Sequence, residues 1–582
     1  MEPALLELYS EGTPDDEVAV ILRMADPLLP LDGVRVVARF GNIATVRVRR
    51  GDIPGVWSQT PVLSMKAAKL YGPTPTFDDS DSSALSEAAE DLEVRPSDLR
   101  RPEGDLPTGE GVLVAHIDWG LDFAHPDFRH PDGRTRLLAL WDQSAPFDPA
   151  APNRYGYGRI YSAAEIDRAL AAADPYAALG YCLAPSDSGH GCHGTHCMGI
   201  SAGNGRSGGP MGLAPKAGLM FVHFSTATAE GPSQLGDSVA FLESLHFFEQ
   251  LAGDRPFVVN ASLGRQAGQH DGKTLTEQGM DAFLLAGNGR CLSQSFGNYF
   301  DRGIHATGVL RPGQTRTLGL IVAGGGILPN EVDLWYPGID RFGVILRAPE
   351  GGPEVRAEPG KRVQVTLHGR KVGNLYHRIG DPNNGDNEVT LFLDPTAPAG
   401  RWELILIGQD IANGRFHAWV ERTASRARHH TRFDEEDDDP TSTLGTICNG
   451  FRTIAVGAYD AHSADRRLTH FTSSSPTRDG REVKPELVAP GMQVLAARSH
   501  PRAFEGEPPL LTRMSGTSMA APHVTGTIAL MFAAAGRPLA IDETRRLLLA
   551  NTDPIPAGAG RIDRLRLGGG YLNTAAAVAA AR

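Results

Sequence analysis

The sequence predicts an α/β protein built on a parallel sheet with helices on both faces, preceded by a small α+β unit and interrupted by a β-sandwich. Three observations predict it. From about residue 105, short apolar runs alternate with longer segments of helical period, the pattern of repeated strand–helix–strand units. Between 305 and 422 that alternation stops, and strand-like runs follow one another with Gly, Pro, Asn and Asp between them. Ahead of both, residues 1–75 carry period-two alternation around a Gly41-Asn42 turn.

Taken in order, the first unit (1–75) has strands at 18–23, 34–40 and 43–48, a short helical piece near 52–58 and a last strand near Val62. Residues 76–105, rich in Pro, Asp, Ser and Glu as in Phe77-Asp78-Asp79-Ser80, read as a solvated linker. The main α/β unit spans 106–304 and resumes over 443–582. Its strands are expected at 112–118, 218–224, 257–262 and 290–296, and its helices over 236–251, over 275–285 and along the apolar run 524–535. The inserted sandwich (305–422) places strands at 315–322, 331–336, 342–347, 362–367, 388–393, 402–408 and 414–420. A charged link, 423–442, leads back; its acidic run from Asp434 to Asp439 reads as a solvated loop rather than a calcium site.

Composition narrows the class. A chain of 582 residues exceeds one core. Its 41% hydrophobic and 21% charged residues are ordinary for a globular protein. A net charge of −13 argues against nucleic acid as a partner. No run of 18 or more apolar residues suggests a membrane span, and the first residues lack the basic and apolar regions of a secretory signal. Five cysteines are few and odd in number, which fits a reducing compartment; a cytoplasmic location is expected.

Three segments carry chemistry. Residues 112–118 form an apolar run ending in Asp118-Trp119-Gly120, a strand delivering a carboxylate at its C-terminal end. His190-Gly191-Cys192-His193-Gly194-Thr195-His196 follows. Gly516-Thr517-Ser518-Met519-Ala520-Ala521-Pro522-His523 sets a serine among small residues at the start of a buried helix. There the serine hydroxyl is held out by a tight turn, and its N–H is one of the unpaired donors of a helix start. A Ser/Thr helix cap is the plainer account of Ser518, and a metal cluster of His190, Cys192, His193, His196 and Cys197 is the rival account of the second segment, although its spacing lacks a second ligand pair.

The chain order Asp118, His193, Ser518 is the subtilisin order. With Asp-x-Gly, His-Gly-Thr-His and Gly-Thr-Ser-Met-Ala-x-Pro all present, the sequence resembles the subtilisin-like serine peptidases, over roughly 105–303 and 443–582. Within them it is similar to the bacterial Csp-like type, which carries an insert before the serine block. The resemblance implies a serine endopeptidase with Ser518 as nucleophile, His193 as general base and Asp118 as the group orienting it. It implies Asn298 as oxyanion donor. Ala286-Gly287-Asn288 matches the family's letters better, but it follows a helix, where Gly-Asn is an ordinary cap, whereas Asn298 follows the strand at 290–296. Ser262, Leu263 and Gly264 match the segment that pairs with substrate. No metal and no cofactor are expected.

The partners implied are a protein or peptide substrate and the chain's own first unit. That unit matches the position of the small propeptide such enzymes carry. The segment 63–72 is expected to run as an extended tail into the cleft, with self-cleavage between about Ser64 and Asp81. Trp119 stands where the family has Thr or Ser, so a hydroxyl beside the Asp118 carboxylate is missing. The Gly203-Asn204-Gly205-Arg206-Ser207-Gly208 pattern follows a helix, not a strand, and does not indicate a nucleotide site. Asn260-Ala261-Ser262 is a glycosylation sequon in a buried strand, the wrong place for one. An inactive scaffold binding a partner through the sandwich, and a processing enzyme with a single substrate, are the competing readings.

Overall fold

The structure is a computed structural model of the chain. It describes residues 1–73, 92–183, 186, 191–225, 236–324, 329–421, 430–500 and 509–582. His190, residues 76–91 of the expected linker and residues 423–429 of the charged link lie outside the described residues.

The core is an eight-stranded sheet. Its order is Leu487–Pro490, Ile454–Tyr459, Arg290–Ser295, Phe257–Ala261, Leu113–Asp118, Gly218–His223, Leu137–Asp142 and Arg159–Ser162. Every pairing is parallel except the last, an antiparallel edge hairpin. Leu113–Asp118 is buried along its whole length, as a strand covered on both faces must be. His193–Ala202, Thr517–Ala535 and Thr574–Ala581 pack together, and Ser238–Ala252 packs with Leu275–Leu285. Thr517–Ala535 is the one helix among the described residues long and apolar enough to cross a membrane; 83% of its apolar window is buried in this core. Its apolarity is that of a helix surrounded by protein.

The first unit is a four-stranded antiparallel sheet, with strand Val34–Phe40 beside Ile43–Arg49, then Glu17–Met24, then Val62–Ala67. Its expected strands form, and a helix over Pro3–Ser10, not expected from the sequence, caps it with Leu5 buried. The sheet lies across Ser238–Ala252 and Leu275–Leu285. Phe40 meets Phe283 edge-on, and Arg47 makes a two-pronged ion pair with the fully buried Glu243 at 2.8 and 2.9 Å. One expectation is corrected here. Residues 63–67 are not free tail, because Val62–Ala67 pairs with Glu17–Met24; the free tail begins after Ala67.

The insert is a sandwich of two antiparallel sheets, six strands against five, around its own core of Leu334, Tyr336, Phe342, Trp402 and Leu406. The seven expected strands are present, together with His305–Val309, Glu354–Ala357 and Arg370–Arg378, which the sequence did not announce. Those three lack a run of apolar residues, and pairing rather than apolar content makes them strands. The acidic run is only partly the solvated loop expected. It follows a short edge strand, Arg432–Phe433. Asp434 pairs with Arg401 at 2.8 Å, and Asp437 pairs with Arg316 at 2.6 Å and accepts from the Gly319 N–H at 2.7 Å. Asp434 and Asp437 tie the run to the sandwich, while Glu435 and Glu436 between them are exposed as a solvated loop would have them. The C-terminal part of the expected linker is likewise pinned, since Asp98 is buried against Arg513 at 2.9 Å.

Candidate active site

Asp118 ends its strand pointing at His193, the first residue of helix His193–Ala202. The His193 Nδ1–H donates to Asp118 Oδ1 at 2.6 Å, and the Trp119 N–H donates to the same oxygen at 2.6 Å. A backbone amide thus reaches the carboxylate where a hydroxyl was missed in the sequence. Asp118 Oδ2 stays buried with no hydrogen bond. Bonding at Nδ1 fixes the tautomer and leaves the His193 Nε2 lone pair free; that atom is buried and has no hydrogen-bond partner. Gly194 follows because nothing larger fits: a Cβ there would stand 2.7 Å from the Gly120 carbonyl and from the Phe221 ring. Burial pulls the His193 imidazole down, but the Asp118 charge and hydrogen bond outweigh it and hold it above its usual value.

Ser518 sits in the first turn of Thr517–Ala535, 3% exposed. Its carbonyl accepts from Ser262 Oγ at 3.0 Å and from the Cys197 thiol at 3.3 Å. Cys197 is one helical turn beyond His193, and its sulfur lies 3.8 Å from His193 Nδ1. The thiol therefore links the serine turn to the histidine helix, a role invisible in the sequence because its partner is more than 300 residues away. Burial pushes that thiol far above its usual pKa. The donor atoms of Asp118, His193 and Cys197 lie within 4.8 Å of one another. Two of them are already bonded together and the third keeps its proton, so the cluster supports the histidine. The His-rich metal cluster does not form among the described residues: His196 turns away to the Val494 and Thr512 carbonyls, at 2.9 and 3.2 Å.

Asn298 lies three residues past Arg290–Ser295, against the serine turn. Its Oδ1 accepts from the Thr517 N–H at 3.0 Å and the Thr517 hydroxyl at 2.9 Å, which turns Nδ2 toward Gly516. Gly516 has φ 156°, and a Cβ on it would stand 3.2 Å from Asn298 Nδ2 and 3.6 Å from the Ser518 nitrogen. The missing side chain leaves a space on which both donors converge. Asn288 is exposed in the turn after Leu275–Leu285.

Ser262, Leu263 and Gly264 form the cleft edge. Ser262 contacts the serine turn, and Leu263–Gly264 is a two-residue strand paired antiparallel with Gly72–Pro73, Gly264 opposite Gly72 and Leu263 opposite Pro73. The tail is held on its other side by a segment the sequence did not single out. The Tyr71 N–H donates to the Gly236 carbonyl at 3.0 Å, the Ser238 N–H donates to the Lys69 carbonyl at 3.0 Å, and the Lys69 N–H donates to Ser238 Oγ at 3.0 Å. Residue 236, expected inside a helix, is cleft rim instead. Asp237 caps the helix by accepting from the Val239 and Ala240 N–H groups, so helix Ser238–Ala252 starts later than expected. Arg265, next to Gly264, also escaped notice; it reaches the Leu70 carbonyl at 3.3 Å and pairs with Glu331 of the sandwich at 2.7 Å.

The subtilase family model matches residues 109–325 and 430–570, more than half of the chain. The chain belongs to the subtilase family. The unmatched interval falls within the inserted sandwich and the link after it. Among relatives, this subtilase is 24% identical over 541 residues to the PIII-type proteinase of Lactococcus lactis subsp. cremoris (strain SK11), covering 84% of this chain and 24% of that one. It is 35% identical over 129 residues to the serine protease AprX of Bacillus subtilis (strain 168), covering 19% of this chain and 28% of the relative. With the PII-type proteinase of Lacticaseibacillus paracasei, covered to 25%, the first comparison means that the chain spans about a quarter of the length of those proteinases. Its fold is similar to that of the Clostridium perfringens CspB protease, with a TM-score of 0.67 and 23% identity over 82% of this chain and 95% of that one.

Proposed function

We propose that this subtilase is a serine endopeptidase whose first unit occupies its own cleft as an inhibitor. One observation carries the reading: the Ser518 nitrogen and Asn298 Nδ2 converge on the space left by Gly516, beside a histidine whose Nδ1 is bonded to a buried carboxylate. A substrate adds as a strand along Leu263–Gly264. The Ser518 Oγ attacks the scissile carbonyl while His193 Nε2 takes the hydroxyl proton. Charge builds on the carbonyl oxygen, where the two N–H donors meet it, and Asp118 stabilises the imidazolium. His193 then gives the proton to the leaving amine, and water releases the acyl group by the same steps in reverse order.

The inhibitory role rests on the Gly72–Pro73 pairing, which takes the edge a substrate needs. A self-cut made in this register falls C-terminal to Pro73. A cytoplasmic location fits five cysteines of which none is in a disulfide. Reaction with a fluorophosphonate tests the site. The wild-type chain is expected to be labelled at Ser518 and Ser518→Ala not at all. Absence of labelling even after displacement of the tail would overturn the enzyme reading.

A further inference from the structure

The sandwich turns one face of its six-stranded sheet toward the first unit and the peptidase body. Along Asn330–Tyr336, the side chains of Val332, Leu334 and Tyr336 belong to the sandwich core, so Glu331, Asp333 and Trp335 point out of it. Two carboxylates therefore stand together on that outer face, and both are enclosed. Asp333 is 0% exposed, and the Glu331 side chain 14%.

Their partners differ. Glu331 has Arg265 of the peptidase body at 2.7 Å, and Glu388 on the neighbouring strand has Arg378 at 3.2 Å. Asp333 has neither. Among the described residues, the one cation within ion-pair distance of it is the Lys69 ammonium, at 3.7 Å, and neither Asp333 oxygen accepts a hydrogen bond. Lys69 also lies 3.4 Å from Glu331. It belongs to the tail, four residues before Pro73, and its backbone is held by Ser238. A third carboxylate near its ammonium, Glu2 at 3.9 Å, comes from the first unit. The sandwich thus supplies a buried anion that only the tail balances. A buried charge without a partner is costly, so a chain that replaces the tail does best with a positive charge at the same place.

We propose that Asp333 and Glu331 form a cation-reading subsite contributed by the inserted sandwich: a substrate lying on Leu263–Gly264 is favoured when it carries a basic side chain four positions N-terminal to the residue opposite Leu263. The inference rests on the peptidase reading and adds its substrate class, a segment with a positive charge upstream of the cut. Lys69 is the chain's own occupant of the subsite. The main-chain pairing at the cleft edge selects no sequence, because any peptide offers the same N–H and C=O groups. Selection here comes from a domain outside the α/β body.

The test uses full-length protein carrying Lys69→Met and Ser518→Ala, so that the tail offers no ammonium and no peptide is cut. The probes are N-acetylated fluorescent peptides Ala-Xaa-Leu-Tyr-Gly-Pro-Thr in which Xaa is Lys, Met or Glu. The tail competes equally against all three. The Lys peptide is expected to bind about tenfold tighter than Met, and the Glu peptide most weakly. Adding Asp333→Asn removes the anion in a protein that has already lost its cation, so no unpaired charge is left behind. It is expected to make the Lys and Met peptides equal. Equal binding of Lys and Met before that change, a Lys preference that survives it, or binding of none of the three overturns the subsite. Fluorophosphonate labelling of the single variant Lys69→Met separates the two ideas. Lysine preference without labelling keeps the subsite and sinks the peptidase, and labelling without preference does the reverse.

Discussion

At the residue scale, the histidines show what Asp118 does. Burial drives His196 and His523 down to about 3, and the His193 side chain, 11% exposed, is also pulled down by burial. It goes the other way because the Asp118 charge and hydrogen bond overcome that burial. The base must be neutral, so the rate of fluorophosphonate labelling should rise with pH through a midpoint above the ordinary imidazole value of about 6.5. Below it the rate should drop about tenfold per pH unit. Asp118→Asn removes the charge and leaves the burial. Its plateau should fall about 10⁴-fold and its midpoint should move below 6.5. A midpoint that stays put would mean that Asp118 does not set the His193 proton. Asn298→Ala should lower turnover about 100- to 1,000-fold with little change in binding, and Asn288→Ala should be near neutral. The candidate triad could be proposed from the sequence because its residue types stand in three short blocks, and of its contacts the Asp118–His193 bond is present. Asn298 was legible only through its strand. Cys197 and Arg265 were not, since their partners, the Ser518 carbonyl and Glu331, are remote in the chain.

At the scale of elements, the site depends on two places where backbones come closer than a side chain allows. Gly194 starts the histidine helix against the turn after Asp118, with its N–H on the Trp119 carbonyl at 3.0 Å. Gly194→Ala would push a methyl into the Gly120 carbonyl and the Phe221 ring, neither of which is the end of a flexible chain. The helix should tilt and carry His193 off Asp118, at about 1–3 kcal/mol of stability and a large loss of turnover. Thermal unfolding and labelling rates measured on the same sample check both halves; a variant with wild-type labelling would show that the approach is not what aims His193. Most elements could be read from period and turn residues: Leu275–Leu285 has the bounds the sequence gives it. The errors have one cause. The segment 63–67 looks like a polar tail by itself and becomes a strand only because Glu17–Met24 offers it an edge. Residues 236–238 look like the start of a helix until the Asp237 side chain takes over the helix N–H groups and leaves the Gly236 carbonyl to the tail. Tertiary partners decide such cases, and local propensity does not contain them.

At the scale of the molecule, the first unit is gripped from two sides. Its sheet lies on the main helices through Arg47 and Glu243, and its other flank meets the sandwich. Lys66 pairs with the buried Asp381 at 2.6 Å, Lys69 lies between Glu331 at 3.4 Å and Asp333 at 3.7 Å, and Arg23 donates to the Pro382 carbonyl at 2.7 Å. Lys69 is itself a tail residue, so the sandwich holds the segment that pairs with Leu263–Gly264. Burial works against the charge on Asp381, yet Lys66 and Arg378 depress its pKa well below the usual carboxylate range. A depressed carboxylate contributes its full tie above about pH 3.9, the unfolded value, and loses it only as pH falls through the lower folded value. The tie is therefore complete across pH 5–8, and mutation rather than pH is the way to release it. Asp381→Asn removes the anion that Lys66 and Arg378 share and leaves them Glu2 at 3.6 Å and Glu388 at 3.2 Å, a loss smaller than the roughly 3–5 kcal/mol of a buried charge with no partner. The loss falls where the first unit meets the sandwich. Hydrogen exchange should rise in Glu17–Met24 and Val62–Ala67 and stay unchanged in Phe257–Ala261 and Arg290–Ser295. If the tail inhibits, fluorophosphonate labelling of Ser518 should accelerate in the same variant, because Lys69 to Pro73 leave the cleft edge more often. Faster exchange with unchanged labelling would separate the two events, and the first unit would then be an accessory domain that touches the cleft without controlling it.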